Sequence, residues 1–522
     1  MTTKQARLLS HASTLLLATV LVACSDSSST GPGSAAGTAY YIDCDSTAAS
    51  EGTIDAPWND FEAANSITLA AGDSILLRRG TTCDGMLKPQ GSGTADNRIL
   101  IGAYGEGPLP RIDANGTNTA ALYIEDMSNT LVRDLELTNA GALDEPHRGV
   151  YLTALQTVVT NVEIRDLYIH DVTGLVKFSG TGKSGGAIIG KPLSPEARFD
   201  GVLIENNQIE DVGRSGIFFT GSSARNRPLA TEPWPEGGTG IVIRGNNLKR
   251  LQGDAIVTLA TSGAVIEDNV VSVGNLAGKD YTGPDRNCSA GIWAWNANNT
   301  LIQRNEVSGY RFGQSPTDGC DGTGFDIDNE QDGTVIQYNY SHDNEGGFVL
   351  LCSDDEPHGA QVRYNLSVDD GKVINASPCK FPTIGSFDGI RLYNNTFVQP
   401  NPHTALELVP LTKLSNAGDF QFANNIVYAT SPQAAVLACG DRCTNNLFHN
   451  LPPTGTEYVV GDPLFEDVSW RGSGRLAAGA AFRISTASPA FAVGLGVVDP
   501  PPMDYLGNDI PANPAIGMHQ PR

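Results

Sequence analysis

The stretch VLIENNQI (202–209) returns as VIRGNNL (242–248), VIEDNVV (265–271), LIQRNEV (301–307) and VIQYNYS (335–341). It continues as QVRYNLS (361–367), RLYNNTF (391–397) and FQFANNIV (420–427), with looser versions at LVRDLEL (131–137) and VEIRDLYI (162–169). Aligned, the eight close copies put Asn207, Asn246, Asn269, Asn305, Asn339, Asn365, Asn395 and Asn425 in one column. Three positions earlier stands an apolar residue: Ile204, Ile243, Ile266, Ile302, Ile336, Val362, Leu392 or Phe422. The spacing between copies is irregular above a floor of 23 residues, from 246 to 269. That pattern implies a fixed coil of three short strands, lengthened by loops at its corners. Stacked about 4.8 Å apart, such coils turn the apolar column inward. The asparagines at the bend can then bond one another up the stack, as buried amides must. The chain is therefore expected to be all-β, a single parallel β-helix.

The ends differ from the middle, as a stack with exposed terminal rungs requires. Residues 39–115 (YYIDCDST … APWNDFEAANSITLAAGDSILLRRGTT … ILIGAYGEGPLPRID) do not repeat. They resemble the opening of secreted right-handed β-helix proteins of the pectate-lyase-like superfamily. GDPLFED … FRISTASPAFAVG … DYLGNDIPANPAIG (461–517) is similar to the ending of those proteins. The resemblance implies a right-handed solenoid and a carbohydrate-directed activity, although one fold hosts many chemistries. The expected organisation is an N-terminal cap with the first coils over 39–115, helix repeats over 116–450 and an irregular closing segment over 451–522.

Before the cap, Lys4 and Arg7 precede an apolar run from Leu15 to Val22, and Leu21-Val22-Ala23-Cys24 ends it. This reads as a lipoprotein signal peptide (1–23), with Cys24 as the lipidated residue and 24–38 as a flexible tether. Ser25 resembles the outer-membrane sorting pattern. The chain is thus expected to be exported and to meet the membrane through its lipid alone, at the periplasmic or cell-surface side. A net charge of −24 argues against nucleic acid held by charge. An acidic substrate would need a bound cation or a local basic subsite. A monomer is expected.

With Cys24 set aside, eight cysteines remain, an even number for an oxidising compartment. Coil register pairs Cys288 with Cys320 and Cys352 with Cys379 at matching points of neighbouring coils. Cys44–Cys83 would staple the cap, and Cys439–Cys443 a tight turn.

The strand ahead of each asparagine unit reads GIFFT (216–220), DAIVT (254–258), GIWAW (291–295), GFDID (324–328) and GFVLL (347–351). Alternation turns Ile292, Phe325 and Phe348 inward. Trp293, Trp295, Asp326 and Asp328 then face outward, exposed and on adjacent coils. Sugar rings stack on indoles, and a carboxylate pair is the acid/base equipment for glycosidic bonds. Side chains at i and i+2 are about 6.5–7 Å apart, near the window for an inverting pair. Like charges this close raise one pKa and supply an acid. Asp326, Asp328 and Glu330 are the catalytic candidates. Trp293, Trp295, Trp234 and Arg311 are the substrate contacts, and Asp321, Asp354 and Asp355 a metal set. Loops 222–239, 275–288 and 309–321 would wall the groove.

Three readings stay open. A glycoside hydrolase on a polysaccharide or oligosaccharide is favoured by the paired acids, the tryptophans and the shortage of lysine near Asp326, and needs no cofactor. A calcium-dependent lyase on a uronic-acid polymer would need a basic residue beside the cation, for which Lys372 is the nearest candidate. A non-catalytic glycan binder would need the tryptophans alone.

Overall fold

At each bend of the repeat, the residue before the asparagine adopts the left-handed conformation. φ is 55° at Asn206, 66° at Gly245, 55° at Asp268, 55° at Arg304 and 58° at Tyr338. Asparagine, aspartate and glycine take this conformation cheaply, whereas Arg304 and Tyr338 do so at a cost the neighbouring coil must offset. The offset is the ladder. Asn269 donates its backbone N–H and its Nδ2 to Asn305 Oδ1 at 3.0 and 2.9 Å. Asn305 Nδ2 in turn reaches Ile266 O at 2.9 Å and Asn339 Oδ1 at 3.0 Å. The same bonds recur from Asn207 through Asn425 and reach one rung further, to Asn446. In the two looser repeats Leu135 and Leu167, both buried, take the place of the asparagine.

The computed structural model describes residues 37–48, 50–176, 183–221, 237–276, 288–312, 321–352, 359–377, 389–399, 407–409, 419–432, 436–437, 440–497 and 500–521. Among the described residues three long parallel sheets run along the body. A 15-stranded sheet extends from Ala39–Ile42 to Cys443–Thr444, and a 14-stranded sheet from Thr82–Asp84 to Val459–Val460. A 9-stranded sheet extends from Ala120–Glu125 to Ile374–Ser377. One coil takes a strand from each, as in Arg198–Glu205, Gln208–Val212 and Ser215–Phe219. The apolar column pairs in register from Ile204 to Phe422 and is fully buried. Burial of each such side chain stabilises by about 1.5–3 kcal/mol relative to exposure.

A second polar ladder lies at the next corner. Asn344 donates from its backbone and Nδ2 to Asp370 Oδ1 at 3.0 and 2.9 Å, and Tyr310 N donates to Asn344 Oδ1 at 2.9 Å. The closing segment, with its short helix Arg475–Ala481, covers the outer face of the 14-stranded sheet. There Tyr338 donates to Met503 O at 2.8 Å and Tyr340 to Gly472 O at 3.0 Å. Cys44 and Cys83 form the expected disulfide. The other three pairings involve Cys320, Cys379 and Cys439, which lie outside the described residues.

Candidate active site

The 9-stranded sheet presents one outward column in continuous register: Tyr123, Tyr151, Ile189, Phe218, Val257, Trp293, Asp326, Leu350 and Asn375. Trp293 and Asp326 are thus direct neighbours on adjacent coils, as the alternation predicts. Inside the coil Ile292, Phe325 and Phe348 join the core as expected. The register differs by one residue at two strands. Ser215 pairs with Asp254 and Phe325 with Val349, so the two motifs DAIVT and GFVLL are offset from their neighbours. Gly347, at φ 123°, accommodates the second offset.

Exposure departs from expectation. Trp293 is only 3 % exposed and Asp326 only 4 %. Trp293 is buried because polar groups from other coils close on it. Its indole N–H donates to Asp254 Oδ1 at 3.2 Å, and the Lys183 ammonium lies 4.3 Å from its ring centre. Asp254 forms a buried ion pair with Arg214 at 2.8 Å, with Lys183 at 3.9 Å. Ala290 N also donates to Asp254, at 3.2 Å. The expected shortage of lysine near Asp326 is therefore overturned: Lys183 reaches this cluster from more than a hundred residues upstream, and Lys372 is not needed to supply a cation. Trp295 remains partly exposed.

The acids converge. Asp321 opens the strand Thr323–Ile327, partly buried, and its carboxyl is pushed up to about 7 by burial and by Asp254, with Asp328 adding to the rise. Asp326 is held well above the usual carboxylate range by burial, then by Asp328 and Asp321. Its Oδ1 has no hydrogen-bond partner among the described residues. Asp328 lies one residue past the strand, partly exposed, and accepts the Asn329 N–H at 2.7 Å. Glu330 is further on, buried in a left-handed bend with φ 55°. Arg311 is exposed, and its backbone packs on Gly322 beside Asp321. Trp234, Asp354 and Asp355 lie outside the described residues, as does Cys24. Among the described residues no group of three or more His, Cys, Asp or Glu side chains is arranged to hold a metal.

Lys183, Arg214 and Asp254 went unrecognised in the sequence. Asp254 opens the DAIVT motif where neighbouring motifs begin with glycine, and that was the one available signal.

The fold is a right-handed parallel β-helix, and the chain resembles proteins built on that fold. Residues 196–397 match the family model described as "Right handed beta helix region". The chain is 27 % identical to a lacto-N-biosidase of Bifidobacterium longum subsp. longum, an alignment covering 92 % of this chain and 36 % of that protein. It thus spans little more than a third of that relative's length. It also resembles the crystal structure of the GH136 lacto-N-biosidase from Eubacterium ramulus, with 27 % identity and a TM-score of 0.59 over 70 % of this chain and 64 % of that one. The structure of XylC with xylose shares the fold, at 13 % identity and a TM-score of 0.51 over 92 % and 98 % of the two chains.

Proposed function

We propose that this protein is a glycoside hydrolase that cleaves oligosaccharides on the outer face of the 9-stranded sheet. The observation that carries the reading is Asp321, a partly exposed carboxyl at about 7 that adjoins Asp328 and Asp326 beside two tryptophans. An acid with a pKa near the working pH is suited to protonate a leaving glycosidic oxygen. Asp328, more open to solvent than Asp326, is the partner carboxylate that attacks the sugar or activates water. Asp326, 4 % exposed, has its charged form disfavoured by burial, so it is the less suited of the three to act on the substrate directly. On this reading the acid is Asp321 rather than Asp326, and Asp321 is no longer counted with the metal set. Trp295 supplies a sugar-stacking surface, with Arg311 at the rim.

The similarity to two lacto-N-biosidases supports a lacto-N-bioside linkage as the first substrate to try. Lys183 is engaged by Asp254 and the Trp293 ring, which disfavours a lyase in which a free lysine takes the proton. The signal segment, Cys24 and the oxidised Cys44–Cys83 pair support an exported enzyme held at the outer membrane by lipid.

The test is incubation of the purified full chain with a lacto-N-bioside and a neutral oligosaccharide panel, with and without chelator. Release of a new reducing end that chelator does not affect supports the reading. Unsaturated products, or loss of turnover with chelator, would favour the calcium-dependent lyase. Binding without any turnover would leave a glycan-binding protein.

A further inference from the structure

The groove face carries cations at its N-terminal end as well as acids at the other. Arg148 opens the strand Arg148–Ala154, is 6 % exposed, and has its guanidinium carbon 4.2 Å from the centre of the Tyr151 ring. Its hydrogen bonds go to neutral oxygens: NH1 to Thr119 O at 3.4 Å and Pro146 O at 3.2 Å, NH2 to Ser184 Oγ at 3.3 Å. Nε has no partner among the described residues. Three of the five guanidinium donors are thus in use. Nε–H, itself buried, and one NH2 hydrogen are left without an acceptor, so the guanidinium keeps donor capacity that a carboxylate or sulfate would satisfy.

Lys191 lies one coil on, in register with Thr153, half-buried and without an ion pair among the described residues. The carboxylate on the opposite neighbouring coil, Glu125, is already taken. Lys88 lies 3.1 Å from it, and the Tyr123 hydroxyl donates to it at 2.7 Å. Buried cations are normally matched by carboxylates. In a chain of net charge −24, two cations on either side of Tyr151 with no carboxylate against them among the described residues stand out. Burial lowers the Lys191 pKa, and Arg148 lowers it further, so a bound anion would relieve both groups.

We propose that Arg148 and Lys191, flanked by Tyr151 and Tyr123, form a subsite for an anionic group on the glycan, either a carboxylate or a sulfate. The proposal rests on the reading of this face as the glycan groove. The strand Gly186–Pro192 is four strands from Thr323–Ile327 in the sheet order. At about 4.8 Å per coil the charged sugar would sit ~19 Å from the acids. The subsite would therefore select glycans several residues long that carry their charge away from the cleaved bond.

The experiment measures binding and is independent of turnover. Three matched oligosaccharides, one neutral, one uronate-bearing and one sulfate-bearing, are titrated calorimetrically into the full chain at low and high salt. The parent protein should bind one charged glycan about tenfold more tightly than the neutral one, and salt should erode the difference. The preferred arm identifies the anion. In Lys191→Gln, whose half-buried site tolerates an amide, the ratio of charged to neutral affinity should fall towards one. Arg148→Gln serves as a second variant where its thermal melt shows a folded protein. Equal or weaker binding of both charged glycans by the parent would overturn the proposal, as would an unchanged ratio in Lys191→Gln. Hydrolysis of a neutral glycan without charge preference would sink the subsite alone, and charge-selective binding without hydrolysis would sink the hydrolase reading alone.

Discussion

Trp293 donates its indole N–H to Asp254 on the preceding coil at 3.2 Å, and this bond ties the aromatic floor of the groove to a buried ion pair. Asp254 holds Arg214 at 2.8 Å, both fully buried, with the Lys183 ammonium 3.9 Å away. Removing the carboxylate would leave two cations close together in a dry site. Asp254→Asn should therefore destabilise the fold by about 3–5 kcal/mol. The double variant Asp254→Leu/Arg214→Met should lose less, because no buried charge is left unpaired in that pair. Urea midpoints of the three proteins at pH 7 check this, and coincident midpoints for parent and Asp254→Asn would refute the ion-pair account.

The acids should separate by role. Asp321→Asn and Asp328→Asn are each expected to cut turnover about 10²–10⁴-fold while leaving the melt unchanged, since an amide keeps the shape but transfers no proton. Asp326→Asn should lose far less, because the group is 4 % exposed and burial disfavours its charged form. As a proton donor at about 7, Asp321 should give a rate that falls as pH rises through neutrality, and Asp321→Asn should remove that limb. Loss of turnover confined to Asp326→Asn would return the acid role to that residue.

The asparagine ladder should be most sensitive in its interior. Asn305→Leu removes the acceptor of both the Asn269 N–H and the Asn269 amide, at about 1–3 kcal/mol for each group left unpaired. Asn207→Leu at the ladder's start takes the acceptor from the Leu167 N–H but from no side-chain amide, and two earlier coils already carry leucine at this point. Thermal melts should rank Asn305→Leu clearly below Asn207→Leu. Identical melts would mean that the ladder contributes little.

The second ladder predicts a pH effect. Asp370 is fully buried, and burial pushes its carboxyl up to about 6, despite hydrogen bonds from Ser367 and Asn344. A folded pKa above the unfolded value means that the proton favours the folded state. Stability from this group is thus fullest below about pH 4 and declines as pH rises through about 6. Asp370→Asn should match the parent near pH 4 and exceed it at pH 8, by roughly 1–3 kcal/mol. The amide keeps an acceptor for Asn344 and can donate to Ser367. Melts at the two pH values decide it, and an equal loss for Asn at both would show that ionised Asp370 is well accommodated.

What could be read along the chain was whatever repeats along it. An inward Ile204-to-Phe422 column and a polar Asn207-to-Asn425 column are one-dimensional patterns, because each coil meets the same two needs: an apolar interior and satisfied amides at the bend. The same reasoning placed Trp293 beside Asp326 and turned Phe325 inward. The groove's chemistry has no such period. Lys183, Arg214 and Asp254 meet from three different coils, and a one-residue offset in register sets Asp254 opposite Ser215. Whether a residue such as Trp293 faces solvent or a buried ion pair depends on charges that arrive from far along the chain. Arg148 and Lys191 carry no signal along the chain, and only the stacking shows that no carboxylate is set against them among the described residues. Local alternation determines the direction in which a side chain points, and only the stacked coils determine what it meets there.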